Sequence, residues 1–299
     1  MPGLNLRQRF ADARSSQHRP SRAAYVLPTA FTAGNIFLGF VSVMQSIQAV
    51  GLARDGTVGA EHHFEIAALT IGIACVLDGL DGRIARMTRT TSEFGREMDS
   101  LADVISFGIA PAVLAFTWGL QFLDPGIGAA LHDQVLRVGS FIVFLFLLCG
   151  AARLARFNVQ KNPVPKNPGR PNRKYFVGLP IPAAASLVAA VVYACDSTPL
   201  TYLPFAIAWL VLLGLLSFLM VSTWRYYSFK DINLLRPRSS LTVILAGCLI
   251  YLIWNYSHPV LVACAGGYVA SGIVTRIGGL FRRHVRPAPP SEQPEHQVG

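Results

Sequence analysis

Four aspartates fall within the stretch DGLDGRIARMTRTTSEFGREMDSLAD, which runs from Asp78 to Asp103. Asp78 and Asp81 are three residues apart and Asp99 and Asp103 four apart, so a helical chain sets each pair on one face. Either Asp-Gly pair, Asp78-Gly79 or Asp81-Gly82, could be read alone as a turn. A turn leaves Asp99 and Asp103 unexplained, because Asp103 runs straight into the apolar VISFGIAPAVLAF. Like charges beside a low-dielectric medium are costly unless cations neutralise them. No equal set of lysines accompanies these acids, so a divalent metal is implied. An all-oxygen donor set favours Mg²⁺ or Mn²⁺ over zinc, and the EF-hand spacing is absent. Metal beside an arginine suits phosphoryl transfer, in which cations neutralise phosphate and hold attacking and leaving groups in line. Arg86, five residues after Asp81, could reach such a phosphate. Gly82 and Gly95 leave room for a bulky ligand against the backbone.

The elements that must position these residues are membrane helices. The chain is 52% hydrophobic and only 14% charged, with a mean hydropathy of +0.43, which does not describe a water-soluble globule. Apolar windows cover Ala24 to Gln48, His63 to Leu80, Leu101 to Leu123, Val135 to Ala155, Gly178 to Ala194, Tyr202 to Ser222, Ser240 to Tyr256 and Pro259 to Arg276. Most approach the ~20 residues needed to cross ~30 Å of hydrocarbon, the fifth and seventh being short. The expectation is an all-α, polytopic bundle of about eight transmembrane helices.

The net charge of +10 is a matter of topology rather than of nucleic-acid binding. With eight spans and a cytoplasmic N-terminus, every lysine and arginine except Arg54 and Arg137 falls on the cytoplasmic side. The positive-inside rule thus predicts that both termini are cytoplasmic. Residues 1–23 read as a polar cytoplasmic segment, 24–276 as the membrane domain and 277–299 as a disordered Pro-rich tail. The five cysteines lie in or beside apolar spans without metal or disulfide spacing, and the seven histidines are scattered.

The pattern D-x2-D-G-x2-A-R-x8-G-x3-D-x3-D, met here by Asp78, Asp81, Gly82, Ala85, Arg86, Gly95, Asp99 and Asp103, resembles the signature of the CDP-alcohol phosphatidyltransferase family. The resemblance implies a helical membrane enzyme that replaces the CMP of a CDP-activated lipid with an alcohol. It implies that Asp78, Asp81 and Asp99 bind one metal, and that Asp99 shares a second with Asp78 and Asp103. Asp103 would also be the general base, while Gly82, Arg86 and Ser92 would hold the CDP group. It further implies a homodimer.

The flanks LPTAFTAGNIFLGF from Leu27, DSLADVISFGIAPA from Asp99, ARLARFNV from Ala152 and GLPIPAAA from Gly178 are most similar to family members that use CDP-diacylglycerol and serine. That likeness makes a bacterial inner membrane, with the site facing the cytoplasm, the expected location. Serine is a small zwitterion, so its site needs a cation for the carboxylate and an acceptor for the ammonium. Arg153 and Arg156 end the fourth span and could supply the cation, or simply anchor that span at the interface. Asn35, a polar amide inside the first span, would contact substrate or a neighbouring helix. Pro180 and Pro182 are expected to bend the start of the fifth span, and the four tryptophans to serve interfaces or packing.

Two alternatives share the aspartates. A sibling enzyme could accept glycerol 3-phosphate or inositol phosphate, which calls for a tighter cluster of cations. A cation transporter would need ionisable residues near the bilayer midplane of several spans. Here the acids gather at one surface.

Overall fold

A computed structural model of the chain describes residues 22–54, 59–88, 93–161, 175–227 and 240–285. Among them run helices α1 (Arg22–Arg54), α2 (Ala60–Thr88), α3 (Glu93–Asp103), α4 (Ala110–Leu120), α5 (Ala129–Lys161), α6 (Ile181–Ala194), α7 (Leu203–Val221), α8 (Ser240–Asn255) and α9 (Ser257–Val285). Each corresponds to one of the apolar windows, except that α3 and α4 share the third. A wider π-helical turn, Val104–Ile109, joins those two into one continuous rod.

Six helical stretches among the described residues are long and apolar enough to cross a membrane, including Glu93–Leu120 taken as one. The fifth and seventh windows form helices of 14 and 16 residues. Both fall short of the ~20 residues of a full crossing. The outer surface agrees with a lipid setting. Phe37, Phe40 and Ile47 of α1, Ile73 and Val76 of α2, Phe141 and Phe144 of α5, and Trp254 of α8 all project outward. Such a surface suits contact with hydrocarbon, where helices satisfy their own backbone groups.

The centre is built from α4 and α6, whose side chains are largely buried. Apolar side chains gain little by exchanging lipid for protein, so close packing between small residues must hold membrane helices together. Ala110, Ala112, Ala115, Ala184, Ala185 and Ala189 supply that smallness. Trp118 and Trp209 meet edge to face at 5.1 Å, and the Trp209 indole N–H donates to the Ala115 carbonyl at 3.0 Å. These two tryptophans therefore join α4 to α7, while Trp254 is 87% exposed near the end of α8.

Antiparallel α1 and α2 are tied at both depths. Ser42 donates to the Ala67 carbonyl at 2.9 Å, and Thr32 donates to Asp81 at the same distance. The π turn follows directly after Asp103, and the Ala110 N–H reaches back to the Ile105 carbonyl. Its Ser106 hydroxyl donates to the Asn35 carbonyl at 2.8 Å. The approach requires glycine at position 39, because a Cβ there would stand 2.7 Å from Ser106 Oγ and 2.8 Å from its Cα.

Two three-residue strands add a feature absent from the all-α expectation. Strand β1 (Tyr175–Val177) pairs antiparallel with β2 (Arg225–Tyr227), Phe176 opposite Tyr226. The chain then turns at Gly178, with φ +79°, and its N–H donates to the Trp224 carbonyl at 2.8 Å. The Leu179 N–H donates to the Leu219 carbonyl at 3.0 Å. Pro180 caps α6 with extended backbone and Pro182 lies in its first turn. The prolines thus start this helix rather than bend it, since a first-turn proline gives up an N–H that has no helical partner anyway.

Candidate active site

Asp78 lies near the C-terminal end of α2, and Asp99 and Asp103 stand one turn apart on α3. One carboxylate oxygen from each falls within 4.8 Å of the other two. Helical spacing aligns Asp99 with Asp103, and antiparallel packing of α2 against the third rod brings in Asp78. Oδ1 of Asp103 is buried without a hydrogen-bond partner. Three converging carboxylates, one with an unclaimed buried oxygen, form a hard, all-oxygen donor set that fits a divalent cation.

Asp81 faces differently. It is buried, and its Oδ2 accepts a hydrogen bond from Thr32 Oγ1 of α1. Its oxygens are not part of the converging trio. Gly82 is exposed one turn after Asp78 on α2, and a Cβ there would meet nothing within 4 Å. Gly95 lies on α3 and Arg86 in the last turns of α2. Ser92 lies outside the described residues.

Asn35 is buried on α1, one turn from Thr32. Its carbonyl receives Ser106, and its side-chain Oδ1 has no partner. Arg153 reaches the site from α5, half-buried and within electrostatic range of Asp103. Its buried Nε makes no hydrogen bond. Arg156, a turn further on, is exposed. Both arginines line a cavity of about 150 Å³, walled by Phe157, Val177, Met220 and Val221. The structure therefore gathers Asp78, Asp99, Asp103 and Arg153, with Arg156 lining the adjoining cavity and Asn35 buried against the π turn.

Three contributors escape sequence reasoning. Thr32 holds Asp81. Asn158 Nδ2 on α5 donates to Ser100 Oγ on α3 at 2.8 Å, and Ser100 donates to the Arg96 carbonyl. Ser100 sits between Asp99 and Asp103, so Asn158 fixes the arginine-bearing helix to the carboxylate-bearing one. Thr32 and Asn158 both lie inside flanks quoted above for their family likeness, but only the fold reveals their partners.

Comparison with known proteins agrees with this geometry. The family model described as CDP-alcohol phosphatidyltransferase matches residues 25–217. A CDP-diacylglycerol--serine O-phosphatidyltransferase of Helicobacter pylori is 37% identical over 222 residues, covering 72% of this chain and 77% of the relative. One of the same name from Methanocaldococcus jannaschii is 33% identical over 209 residues, covering 70% and 83%. An archaetidylserine synthase of Methanothermobacter thermautotrophicus is 36% identical over 166 residues, covering 55% and 56%. A match over most of the chain, with the aspartates converging inside it, is sufficient: the protein belongs to the CDP-alcohol phosphatidyltransferase family.

Proposed function

We propose that the protein transfers the phosphatidyl group of CDP-diacylglycerol to the hydroxyl of L-serine, forming phosphatidylserine and releasing CMP. The observation that carries this reading is the meeting of Asp78, Asp99 and Asp103 within 4.8 Å, with Arg153 in electrostatic range of Asp103. The named relatives add serine as the shared acceptor.

The serine oxygen attacks the phosphorus that carries diacylglycerol, and the bond from that phosphorus to the CMP oxygen breaks. Asp103 takes the hydroxyl proton; its unpartnered buried Oδ1 leaves an acceptor free for it. Arg153, with Arg156, binds the serine carboxylate, and Asn35 offers its free Oδ1 to the ammonium. Gly82, Arg86, Ser92 and Gly95 receive the CDP group. Asp78, Asp81, Asp99 and Asp103 would hold two Mg²⁺ or Mn²⁺ ions, which when bound neutralise charge building on the phosphate oxygens. The acyl chains stay in the bilayer. We place the enzyme in a bacterial inner membrane as a homodimer, its site facing the cytoplasm.

The test is CMP release by purified protein in liposomes with CDP-diacylglycerol, Mn²⁺ or Mg²⁺ and a panel of labelled alcohols. Phosphatidylserine as the product supports the reading. A lipid product from a different alcohol replaces the acceptor and keeps the aspartate chemistry. Folded protein that releases no CMP with any alcohol rejects phosphatidyl transfer.

A further inference from the structure

The rod that carries Asp99 and Asp103 and the helix that carries the arginines run antiparallel, and contacts at three levels fix their register. At the carboxylate end, Asn158 Nδ2 of α5 donates to Ser100 Oγ of α3 at 2.8 Å. Farther along, a Cβ on Gly108 of the π turn would stand 2.9 Å from Leu147 Cδ1, and one on Gly139 would overlap Leu120 Cδ1. The residue numbers in these three pairs add to between 255 and 259, as they must when one helix climbs while the other descends by the same rise. That register sets Asp103 level with residues 152–156 of α5, the turn that holds Arg153 and Arg156. Both sides point into protein there: Arg153 Nε and Asp103 Oδ1 are buried, and neither makes a hydrogen bond.

The three contacts differ in kind. Leucine against glycine is apolar and has no preferred direction, so those two pairs permit α5 to slide or twist. The bond from Asn158 does not, because hydrogen bonds weaken steeply with angle. Ser100 is itself held, donating to the Arg96 carbonyl at 3.1 Å and leaving its oxygen to accept from Asn158. It lies between Asp99 and Asp103, and Asn158 follows Arg156 by two residues and Arg153 by five. A hydrogen bond outside the arginine-lined cavity thus governs how far Arg153 stands from Asp103. For serine that separation is decisive. Only its α- and β-carbons stand between the carboxylate and the attacking hydroxyl, so cation and base can serve one molecule at only one spacing.

We propose that the hydrogen bond from Asn158 to Ser100 gauges the acceptor: it holds Arg153 at a fixed separation from Asp103 and so selects serine by the short span between its carboxylate and its hydroxyl. Asn158 and Ser100 are positioning residues that set specificity. The inference rests on the reading that Arg153 binds the acceptor carboxylate and Asp103 takes the hydroxyl proton.

The test compares L-serine with L-homoserine, one carbon longer between the same two groups, in liposomes containing CDP-diacylglycerol. Asn158→Ala and Ser100→Ala should each lower the ratio of kcat/KM for serine to that for homoserine by about three- to tenfold, the weight of one hydrogen bond, with the KM for CDP-diacylglycerol near wild type. If homoserine is not turned over, its Ki as a competitor of serine takes the place of its kcat/KM. The double variant should match either single one, since the bond can be broken only once. Ser100→Thr keeps the hydroxyl and should keep the wild-type ratio. A merely structural role would lower kcat or the folded yield for both acceptors alike and leave the ratio unmoved. If Asn158→Ala does not fold, Ser100→Ala decides alone. A serine KM raised in Arg153→Ala, with the ratio unchanged in the folded Asn158 and Ser100 variants or with their effects adding in the double variant, overturns the inference only. A serine KM unchanged in Arg153→Ala overturns the acceptor reading and the inference with it.

Discussion

Asp103 and Asp81 offer different chemistry. Asp103 keeps a buried oxygen without a partner, whereas Asp81 is engaged by Thr32. Replacing Asp103 with Asn removes the basic oxygen at nearly constant volume. CMP release should fall by roughly 10²–10⁴, the scale of general-base catalysis, with CDP-lipid binding retained in a parallel binding assay. Thr32→Val keeps the shape and deletes the hydroxyl, so Asp81 loses its orientation. A Mn²⁺ titration of activity should then shift to about ten- to a hundredfold higher concentration, as is usual when a ligand's supporting partner is lost. The four aspartates were legible in the sequence because their spacing is local to helices. Thr32 was not, because its bond to Asp81 spans 49 residues and nothing in either neighbourhood names the other.

Among the elements, the π turn decides how closely the third rod can approach α1. Inserting a residue into a helix re-aims the side chains that follow, and such insertions often accompany functional sites. Here Ser106 presses on residue 39 and bonds to the Asn35 carbonyl. Gly39→Ala must push backbone away from backbone, so the melting temperature in detergent should fall, corresponding to about 1–3 kcal/mol of overpacking. Ser106→Ala should cost less. The apolar windows revealed where helices lie, since hydropathy is a property of each segment by itself. They could not reveal the π turn, whose composition is as apolar as an α-helix, nor the strand pair, whose three-residue strands join segments 50 residues apart. The prolines at 180 and 182 were legible as an interruption but not as a beginning, because the sequence does not show which side of them is helical.

At the scale of the whole molecule, the bundle is polar at two ends that differ in kind. One end carries the carboxylates, Arg153 and the strand pair. The other carries the turn after α6, where Asp196 and Ser197 adopt positive φ and His258 of α9 meets Asp196 at 3.2 Å. Cys195 lies exposed on that second end. In sealed vesicles, an impermeant maleimide should label Cys195 from the side opposite to that on which CDP-lipid is consumed. Labelling from the same side would invert the proposed topology. Desolvation of its packed side, followed by the nearby Asp196 carboxylate, raises the exposed Cys195 thiol above its ordinary range. Less thiolate is then present at neutral pH, so labelling should be slow there and accelerate as pH rises, up to a plateau reached later than for an ordinary thiol.

The turn into α6 has a bearing on how this protein can diverge. Gly178 and Leu179 bond through their backbone N–H groups to the carbonyls of Trp224 and Leu219, so the stitch is written in chain path rather than in side-chain identity. Gly178 is constrained in type by its positive φ and by the Met220 carbonyl that a Cβ would meet at 2.6 Å, and Leu179 and Ile181 by the buried core they fill. Descendants of one ancestor would therefore keep the glycine and the buried apolar residues of this corner while varying around them, and the stretch GLPIPAAA can carry kinship although it touches no aspartate.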